Sequence, residues 1–439
     1  MALTFFAIGD WGKNYDRIKI ETTEDSPQMR VANAMYASMD NVQFVVSIGD
    51  MFYTRKNKEL NEDFKETIHD PTTQKLRNIQ NNSSIKNKHV DAALLLQTYK
   101  GKRNKKNAEK SKTIDTQLLS SNRHNIDILV EQLYENIWYT YYSKLNLDWF
   151  GVLGNHEYNY GVAYTESILN FSKNLWDNNK CFKISETIYY EIFEDTLIIF
   201  INTADLIRRF EEKKKKKDKE NEKKKDKENE KKKEKEKEVL FNFILWEIIE
   251  QCVDNVACKN IVIVGHHPII SHRHKDKKAG HHIIQKLFRK IVEILDLRNI
   301  PDKLKGYICG HEHNYQDIDI TLKQSKTLKQ SITFKQIITG SGGEETDPIF
   351  DCRDIKHCRK ISHSNTIQDI NKSLHSNNVP SDFDYKVIDL QTGYGCAKIT
   401  VNENILKSEF IPAVENMSKL NANPNVTNLG RRLERTRAH

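Results

Sequence analysis

Five short apolar runs of the sequence each end in a glycine followed by a side chain that can bind a metal. The pairs are Gly9-Asp10, Gly49-Asp50, Gly154-Asn155, Gly265-His266 and Gly310-His311. Three further candidates lie within three residues of these pairs: Tyr53, His156 and His313. Together they offer carboxylate, phenolate, amide and imidazole groups, a mixed oxygen and nitrogen set that suits hard or borderline metals better than thiolate-bound zinc. Such a set predicts a two-metal centre, with the Asp50 carboxylate as the natural bridge.

The elements that must position these residues are buried strands. Each apolar run is the length of a strand, and each delivers its polar residue at the carboxyl end. In open sheets that end is the edge where ligands bind. Helical patterns such as residues 239–252 lie between the runs. The alternation predicts an α/β (α+β) fold of stacked sheet and helix layers.

Each motif alone is a weak signal. A Gly-Asp pair is usually a turn, and a lone His266-His267-Pro268 is compatible with a surface loop. Chance also supplies H-x-H triplets such as His311 to His313 in a chain with 16 histidines. The joint appearance of all five pairs, each after an apolar run, favours a site over five unrelated turns.

Composition argues against a nucleic-acid binder. The 439 residues carry a formal net charge of +8, but residues 211–238 hold 15 Lys and 11 Asp or Glu and so supply half of it. This run is interpreted as a solvated surface excursion, with a basic docking surface as the alternative. The sequence has no run of 18 apolar residues, so no transmembrane segment is expected.

We expect one domain over residues 1–413, interrupted by low-complexity inserts at about 70–125, 211–238 and 321–336, and a flexible tail over 414–439. The number and spacing of the seven cysteines do not indicate a disulfide framework. A single disulfide, Cys252–Cys258 or Cys352–Cys358, is the alternative. The first residues, M-A-L-T-F-F-A-I, have no basic region typical of a signal peptide. This favours a cytoplasmic location by default.

The motif series G-D-W-G, G-D-M-F-Y, G-N-H-E, G-H-H-P and G-H-E-H resembles the purple acid phosphatases of the calcineurin-like metallophosphoesterase superfamily. The resemblance is greatest to the tartrate-resistant type and covers roughly 300 residues, outside the inserts. It implies a four-layer αββα sandwich of two mixed sheets. The lysine- and asparagine-rich inserts resemble those of protozoan parasite proteins. The family is usually secreted or vesicular, which is the location implied if the N-terminus is incomplete.

The resemblance also implies the site. Most metallophosphoesterases begin with D-x-H, whereas residues 10–12 are Asp-Trp-Gly; Tyr53 replaces the missing histidine, as in the purple enzymes, and favours Fe(III). The ferric site would be Asp10, Asp50, Tyr53 and His313, and the divalent site, for Fe(II), Zn or Mn, would be Asp50, Asn155, His266 and His311. His156 would hold the phosphate and help to protonate the leaving oxygen.

Two departures from the family concern the segment after His266. The family has Tyr where this chain has His267. We expect His267 to lie outside the metal ligands or to be exposed, and a metal-binding role is the less favoured alternative. A histidine- and lysine-rich loop follows, in which His272 and His274 are candidates for substrate binding. The alternative for that loop is a solvated segment without a role.

The implied function is an acid phosphatase that hydrolyses small phosphomonoesters by direct attack of a metal-bound hydroxide. One alternative is a non-catalytic scaffold on the same fold, as in parasite gliding-motor anchors. The other is a phosphodiesterase or nucleotide hydrolase with the same metals. A scaffold is free to lose ligands, and here every expected ligand is present. Partner proteins are not predictable from the sequence.

Overall fold

The computed structural model describes residues 2–12, 26–53, 127–158 (without 128, 129 and 132), 162–177, 182–185, 188–208, 248–249, 258–271, 282–343, 350–351, 359–360, 381–403 and 405–413. The predicted inserts at about 70–125 and 211–238, the tail at 414–439, and His272 with His274 lie outside these residues. Most of the predicted helix at 239–252 also lies outside them. Within the described part of the chain, no helix is long and apolar enough to cross a membrane.

The strands are β1 (Leu3–Ile8), β2 (Phe44–Ser47), β3 (Asp148–Gly151), β4 (Phe182–Ile184), β5 (Ile188–Phe193), β6 (Thr196–Ile201), β7 (Asn260–Val264), β8 (Leu304–Cys309), β9 (Tyr315–Leu322), β10 (Ile332–Thr339), β11 (Phe350–Asp351), β12 (Arg359–Lys360), β13 (Phe383–Gln391), β14 (Gly395–Val401) and β15 (Leu406–Pro412). They build a six-stranded sheet of order β15-β14-β1-β2-β3-β4 and a seven-stranded sheet of order β13-β9-β10-β8-β7-β6-β5. Strands β11 and β12 form a separate pair.

Both large sheets are mixed, with parallel strands at their centres. In the first sheet, β1, β2, β3 and β4 run parallel, while β14 is antiparallel to β1. In the second, β6, β7, β8 and β10 run parallel, while β5 and β9 add antiparallel neighbours. All five apolar runs that precede the candidate residues are therefore parallel central strands, β1, β2, β3, β7 and β8. Their carboxyl ends bring the polar residues to one edge of each sheet.

The helices cover the outer faces of the sheets. They are α1 (Pro27–Ala37), α2 (Asn155–Tyr158), α3 (Val162–Asp177) and α4 (His282–Leu297). A mixed helical segment precedes β3, with a π-helical turn at Tyr134–Tyr139 that continues to Leu145. Helix α1 begins at the cap Ser26, whose hydroxyl accepts the Met29 N–H at 3.1 Å, and has proline at its first position.

Three apolar cores define four layers. Alternate strand residues such as Phe5 of β1 and Val262 of β7 fill the core between the two sheets. Their neighbours Phe6 and Ile261 face outward, into the core under α1 and α3 and the core under α4, respectively. Because side chains alternate along a strand, both faces of each central strand must be apolar, as their sequences are. The predicted αββα sandwich is confirmed.

The predicted insert at 321–336 needs a correction. Residues 321–322 end β9 and residues 332–336 begin β10, and the two strands pair antiparallel from Ile332 with Leu322 to Thr339 with Tyr315. Only residues 323–331 lie outside the sheet. Residues 321–331 repeat T-L-K-Q-S twice, which favoured an insert. The start of β10 directly follows this repeat, and Ile332, Phe334 and Gln336 are buried while Thr333 is exposed.

Candidate metal centre

Tight backbone turns place the candidate residues at the ends of the strands. Asp10, Asp50 and His311 adopt positive φ values of 55°, 50° and 72°. Left-handed backbone at residues other than glycine is unfavourable and concentrates at functional sites. The two sheets are joined here, since the Gly9 N–H donates to the Thr339 carbonyl at 2.8 Å, the last residue of β10. The loops that follow β1 and β2 are also joined, by the Asp10 N–H and the Gly49 carbonyl at 3.1 Å.

The Tyr53 hydroxyl lies at the middle of a first donor cluster. Its oxygen is 2.6 Å from Asp10 Oδ1, 3.2 Å from Asp50 Oδ2 and 3.1 Å from His313 Nε2. His313 Nε2 is in turn 3.4 Å from Asp10 Oδ1. Three oxygen donors and one imidazole nitrogen therefore converge on one small volume.

The Asn155 carboxamide lies at the middle of a second cluster. Its Oδ1 is 3.0 Å from His266 Nε2 and 2.9 Å from His311 Nδ1. His266 Nδ1 donates to the Ile48 carbonyl at 2.8 Å, which directs Nε2 into the cluster. Asp50 Oδ2 is 3.3 Å from the same Nε2. The Asp50 oxygen that contacts Tyr53 thus also contacts His266, so Asp50 joins the two clusters.

The carboxylates of this site are buried, so their negative charge must be compensated by neighbouring groups. Asp10 and Asp50 are buried, with 0% and 1% of their surface exposed. Burial by itself raises the pKa of Asp50, but the charges and hydrogen bonds of His266 and His156 outweigh it and hold that pKa well below its usual range. Burial lowers the pKa of His266, whereas the Asp50 and Asp10 carboxylates raise it, with a net value of about 9. Two buried carboxylates require cationic partners.

The donor set fits a pair of metal cations. Asp10, Asp50 and His266 each offer a ligand atom within 4.8 Å of the others, and His266, His267 and His311 do the same. Carboxylate and phenolate oxygens on one side suit a hard cation, and imidazoles on the other side suit a borderline divalent one. A cation at His266 would replace the proton that the carboxylates now favour there.

His156 lies at the rim of the site. Its side chain is 31% exposed, its Nε2 is 3.9 Å from Asp50 Oδ2, and its ring centroid is 4.1 Å from that of Tyr53. The backbone N–H of His156, in the first turn of α2, donates to Asp50 Oδ1 at 2.8 Å. A half-exposed imidazole beside the buried donors is placed to meet a group that enters from solvent.

Glu157 is a site residue to which the sequence reasoning assigned no role. It is fully buried, and its two carboxylate oxygens accept the N–H groups of Asp50 at 3.0 Å, Met51 at 2.7 Å and Gly154 at 2.7 Å. Burial and the Asp50 charge raise the pKa of Glu157 to about 7, against the effect of these hydrogen bonds. The sequence did contain a signal for Glu157, because it directly follows the candidate residues Asn155 and His156 and is the only acidic residue in α2.

His267 and Glu312 complete the description. Of the two positions expected for His267, the exposed one does not occur, because 6% of its surface is exposed. Its ring centroid is 4.6 Å from that of His311. Glu312, between the two histidines of the H-x-H triplet, turns away from both clusters, and its Oε1 accepts the Ser271 hydroxyl at 3.2 Å.

Comparisons with known proteins give one family match and several structures of similar shape. Residues 120–315 match the family model described as calcineurin-like phosphoesterase. A comparison with curated proteins gave no match.

Several solved structures are similar in shape at low identity. One is "GAP50 the anchor in the inner membrane complex of Plasmodium", with 15% identity, coverage of 94% of this chain and 85% of that chain, and a TM-score of 0.44. Another is purple acid phosphatase PPD1 from seeds of yellow lupin (Lupinus luteus), with 10% identity, coverage of 93% and 51%, and a TM-score of 0.42. A third is PhoD, with 11% identity, coverage of 95% and 67%, and a TM-score of 0.43. At these values the likeness says nothing about activity.

The matched segment includes both histidines of the H-x-H triplet together with Asn155, His156 and His266, and the fold brings Asp10, Asp50 and Tyr53 to the same sheet edge from outside it. Residues 120–315 are therefore similar to a calcineurin-like phosphoesterase domain.

Proposed function

We propose that the protein is a two-metal phosphatase that hydrolyses phosphomonoesters, of the purple, tartrate-resistant acid phosphatase kind. Asp10, Asp50, Tyr53 and His313 would hold Fe(III), and Asp50, Asn155, His266 and His311 would hold Fe(II), Zn or Mn. The observation that carries the proposal is the position of Asp50 Oδ2, 3.2 Å from the Tyr53 hydroxyl and 3.3 Å from His266 Nε2. One shared carboxylate between two donor clusters is the arrangement of two-metal hydrolases.

The chemistry divides between the cations and the side chains. When bound, the pair supplies Lewis acidity toward phosphate oxygens and lowers the pKa of water. Asp10 and Asp50 keep the buried site negative, so that it accepts two cations. Tyr53 lies in the donor cluster on one side of Asp50, and Asn155 lies in the cluster on the other side. The backbone of His156 is fixed by Asp50, which leaves its imidazole at the rim to bind the phosphate and to donate a proton to the leaving oxygen.

A non-catalytic scaffold is the alternative from a different class, and the described similar structures include one named as an anchor. In a scaffold without metals, two carboxylates would remain buried beside a tyrosine and three histidines, and this arrangement would not stabilise the fold. Uncompensated buried charge destabilises a protein by several kcal/mol, roughly 3–5 for a broken pair. The retained set therefore supports catalysis.

The test is hydrolysis of p-nitrophenyl phosphate across pH by iron-loaded protein, with bis(p-nitrophenyl) phosphate as the diester probe. We expect the monoester to be the better substrate, and Asp50→Asn to lower the rate at least about 100-fold, the scale of losing one group that stabilises the transition state. The matched control is Asp40→Asn, because Asp40 is exposed and away from the site. A folded, metal-loaded protein without activity would favour the scaffold, and preference for the diester would favour a phosphodiesterase.

A further inference from the structure

A third buried imidazole stands beside the two that belong to the candidate divalent site. The ring of His267 lies 4.8 Å from that of His266 and 4.6 Å from that of His311, and the His266 and His311 rings are 5.2 Å apart, centroid to centroid. The three rings thus form a nearly equilateral triangle. His267 directly follows His266 after β7, and the turn places both on the same side of the sheet edge.

The ring nitrogens of this triangle are close enough to share a cation. One nitrogen of each histidine lies within 4.8 Å of the other two. If the three nitrogens were all 4.8 Å apart, a cation at their centre would be about 2.8 Å from each. Zn–N bonds are about 2.0–2.1 Å long. Each nitrogen would therefore need to move by less than about 1 Å to bind the cation. Rotation of a histidine ring supplies movement of that size without moving the backbone.

Thr203 orients the His267 ring. Its Oγ1 is 3.2 Å from His267 Nδ1 and accepts the backbone N–H groups of His266 at 3.0 Å and His267 at 3.1 Å. The contact between this hydroxyl and Nδ1 fixes the orientation of the His267 ring beside the rings of His266 and His311.

We propose that His267 is a ligand of the divalent cation and makes this position selective for Zn²⁺. The inference rests on the proposed two-metal function and goes beyond its ligand set, which counts two imidazoles. Three imidazoles are a set that zinc adopts in enzymes, whereas Mn²⁺ prefers carboxylate, carbonyl and water oxygens. The third nitrogen therefore favours zinc over manganese more strongly than His266 and His311 do alone.

The test counts imidazoles directly. Protein loaded with Fe(III) and then Zn²⁺ is measured by X-ray absorption at the zinc edge, where imidazole gives a characteristic multiple-scattering pattern. We expect three imidazoles in the unchanged protein and two in His267→Gln. The glutamine keeps a hydrogen-bonding group for Thr203, so a purely orienting role of His267 would leave the count unchanged. His267→Phe is the second variant, which preserves ring volume if the glutamine variant does not fold.

Metal affinity provides the second readout. We expect His267→Gln to weaken Zn²⁺ binding about tenfold or more, the scale at which metal sites respond to a lost partner, and to weaken Mn²⁺ binding less. The control is His282→Gln at an exposed histidine in the first turn of α4. An equal imidazole count in both proteins, or equal losses for both metals, would overturn the role of His267 while the phosphatase proposal stands. Failure of the unchanged protein to bind two cations would overturn both.

Discussion

The Glu157 carboxylate accepts the backbone N–H of Asp50 at 3.0 Å, across 107 positions of the chain. The same carboxylate accepts the Gly154 N–H at 2.7 Å, so it ties the turn after β2 to the turn after β3. Both turns carry candidate metal ligands. The relative position of Asp50 and Asn155 therefore depends on a residue that is not itself a proposed ligand.

Glu157→Gln tests this link. The amide keeps one acceptor oxygen but turns an NH₂ group toward backbone donors, so at least one buried hydrogen bond is lost and two donors face each other. We expect the metal-free protein to lose about 2–4 kcal/mol of its free energy of unfolding, the cost of unsatisfied buried groups that carried charge-assisted bonds. The measurement is urea unfolding followed by circular dichroism.

The control for that substitution is Glu135→Gln, an exposed glutamate in the helical segment before β3. Surface substitutions of this kind stay within about 0.5 kcal/mol. Equal stability of the two variants would show that Glu157 does not hold the turns together.

Tyr53→Phe tests the phenolate of the proposed ferric site. Removal of the hydroxyl takes away the oxygen that lies 2.6 Å from Asp10 and 3.1 Å from His313. We expect iron-loaded protein to show a visible charge-transfer band that the variant lacks, because that band requires phenolate bound to Fe(III). Absorption spectroscopy with iron analysis measures both effects, and Tyr190→Phe on the edge strand β5 is the control. A band of unchanged intensity in Tyr53→Phe would assign the colour, and the ligand, to another residue.

Gly154→Ala tests the close approach of the two turns. A Cβ atom at this position would lie 2.2 Å from Asp50 Oδ1 and 2.5 Å from the Asp50 backbone nitrogen, so the bridging carboxylate must move. We expect the variant to bind at most one cation per chain, measured by elemental analysis after dialysis.

The comparison for Gly154→Ala is Gly393→Ala, where φ is +132° but no atom lies within 4 Å of the added carbon. That variant should lose about 1–3 kcal/mol through backbone strain and keep both cations. Full metal content in Gly154→Ala would mean that the loop relaxes without displacing Asp50.

Asp382→Asn tests a pH-dependent contribution far from the metal centre. Arg289 of α4 donates to both carboxylate oxygens of Asp382, from Nη2 to Oδ1 at 2.7 Å and from Nε to Oδ2. The Arg289 hydrogen bonds lower the pKa of Asp382, against a smaller opposing effect of burial. Because the folded-state pKa lies below the unfolded value, the stabilisation is present above the unfolded value of about 4 and is lost as pH falls through the folded one.

The expected difference between Asp382→Asn and the unchanged protein is about 0.5–1 kcal/mol near pH 7, since the pair is about one-third exposed on each side and screened by solvent. It should shrink toward zero below pH 4. Thermal unfolding of the metal-free protein across this range measures it, with Asp384→Asn as the exposed neighbour for comparison. A difference that stays constant with pH would assign the effect to packing rather than charge.

Strands and their polar ends were predictable from the sequence because their signals are local. The runs before Asp10, Asp50, Asn155, His266 and His311 are apolar throughout, which central parallel strands with two covered faces require. The two-sheet architecture rested on resemblance, and the structure confirms it. The first five residues of β10 were assigned to an insert because they directly follow a repetitive segment and only alternate ones are buried.

The sequence by itself determined which donor types reach the sheet edge, since each polar residue follows directly from its own strand. Only the tertiary structure decided which of them meet. Asp50 Oδ2 lies between Tyr53 and His266, Glu157 reaches across 107 positions to the backbone of Asp50, and His267 is buried against His311. These relationships join residues on different strands and sheets, and their distances depend on turn geometry and packing rather than on spacing along the chain.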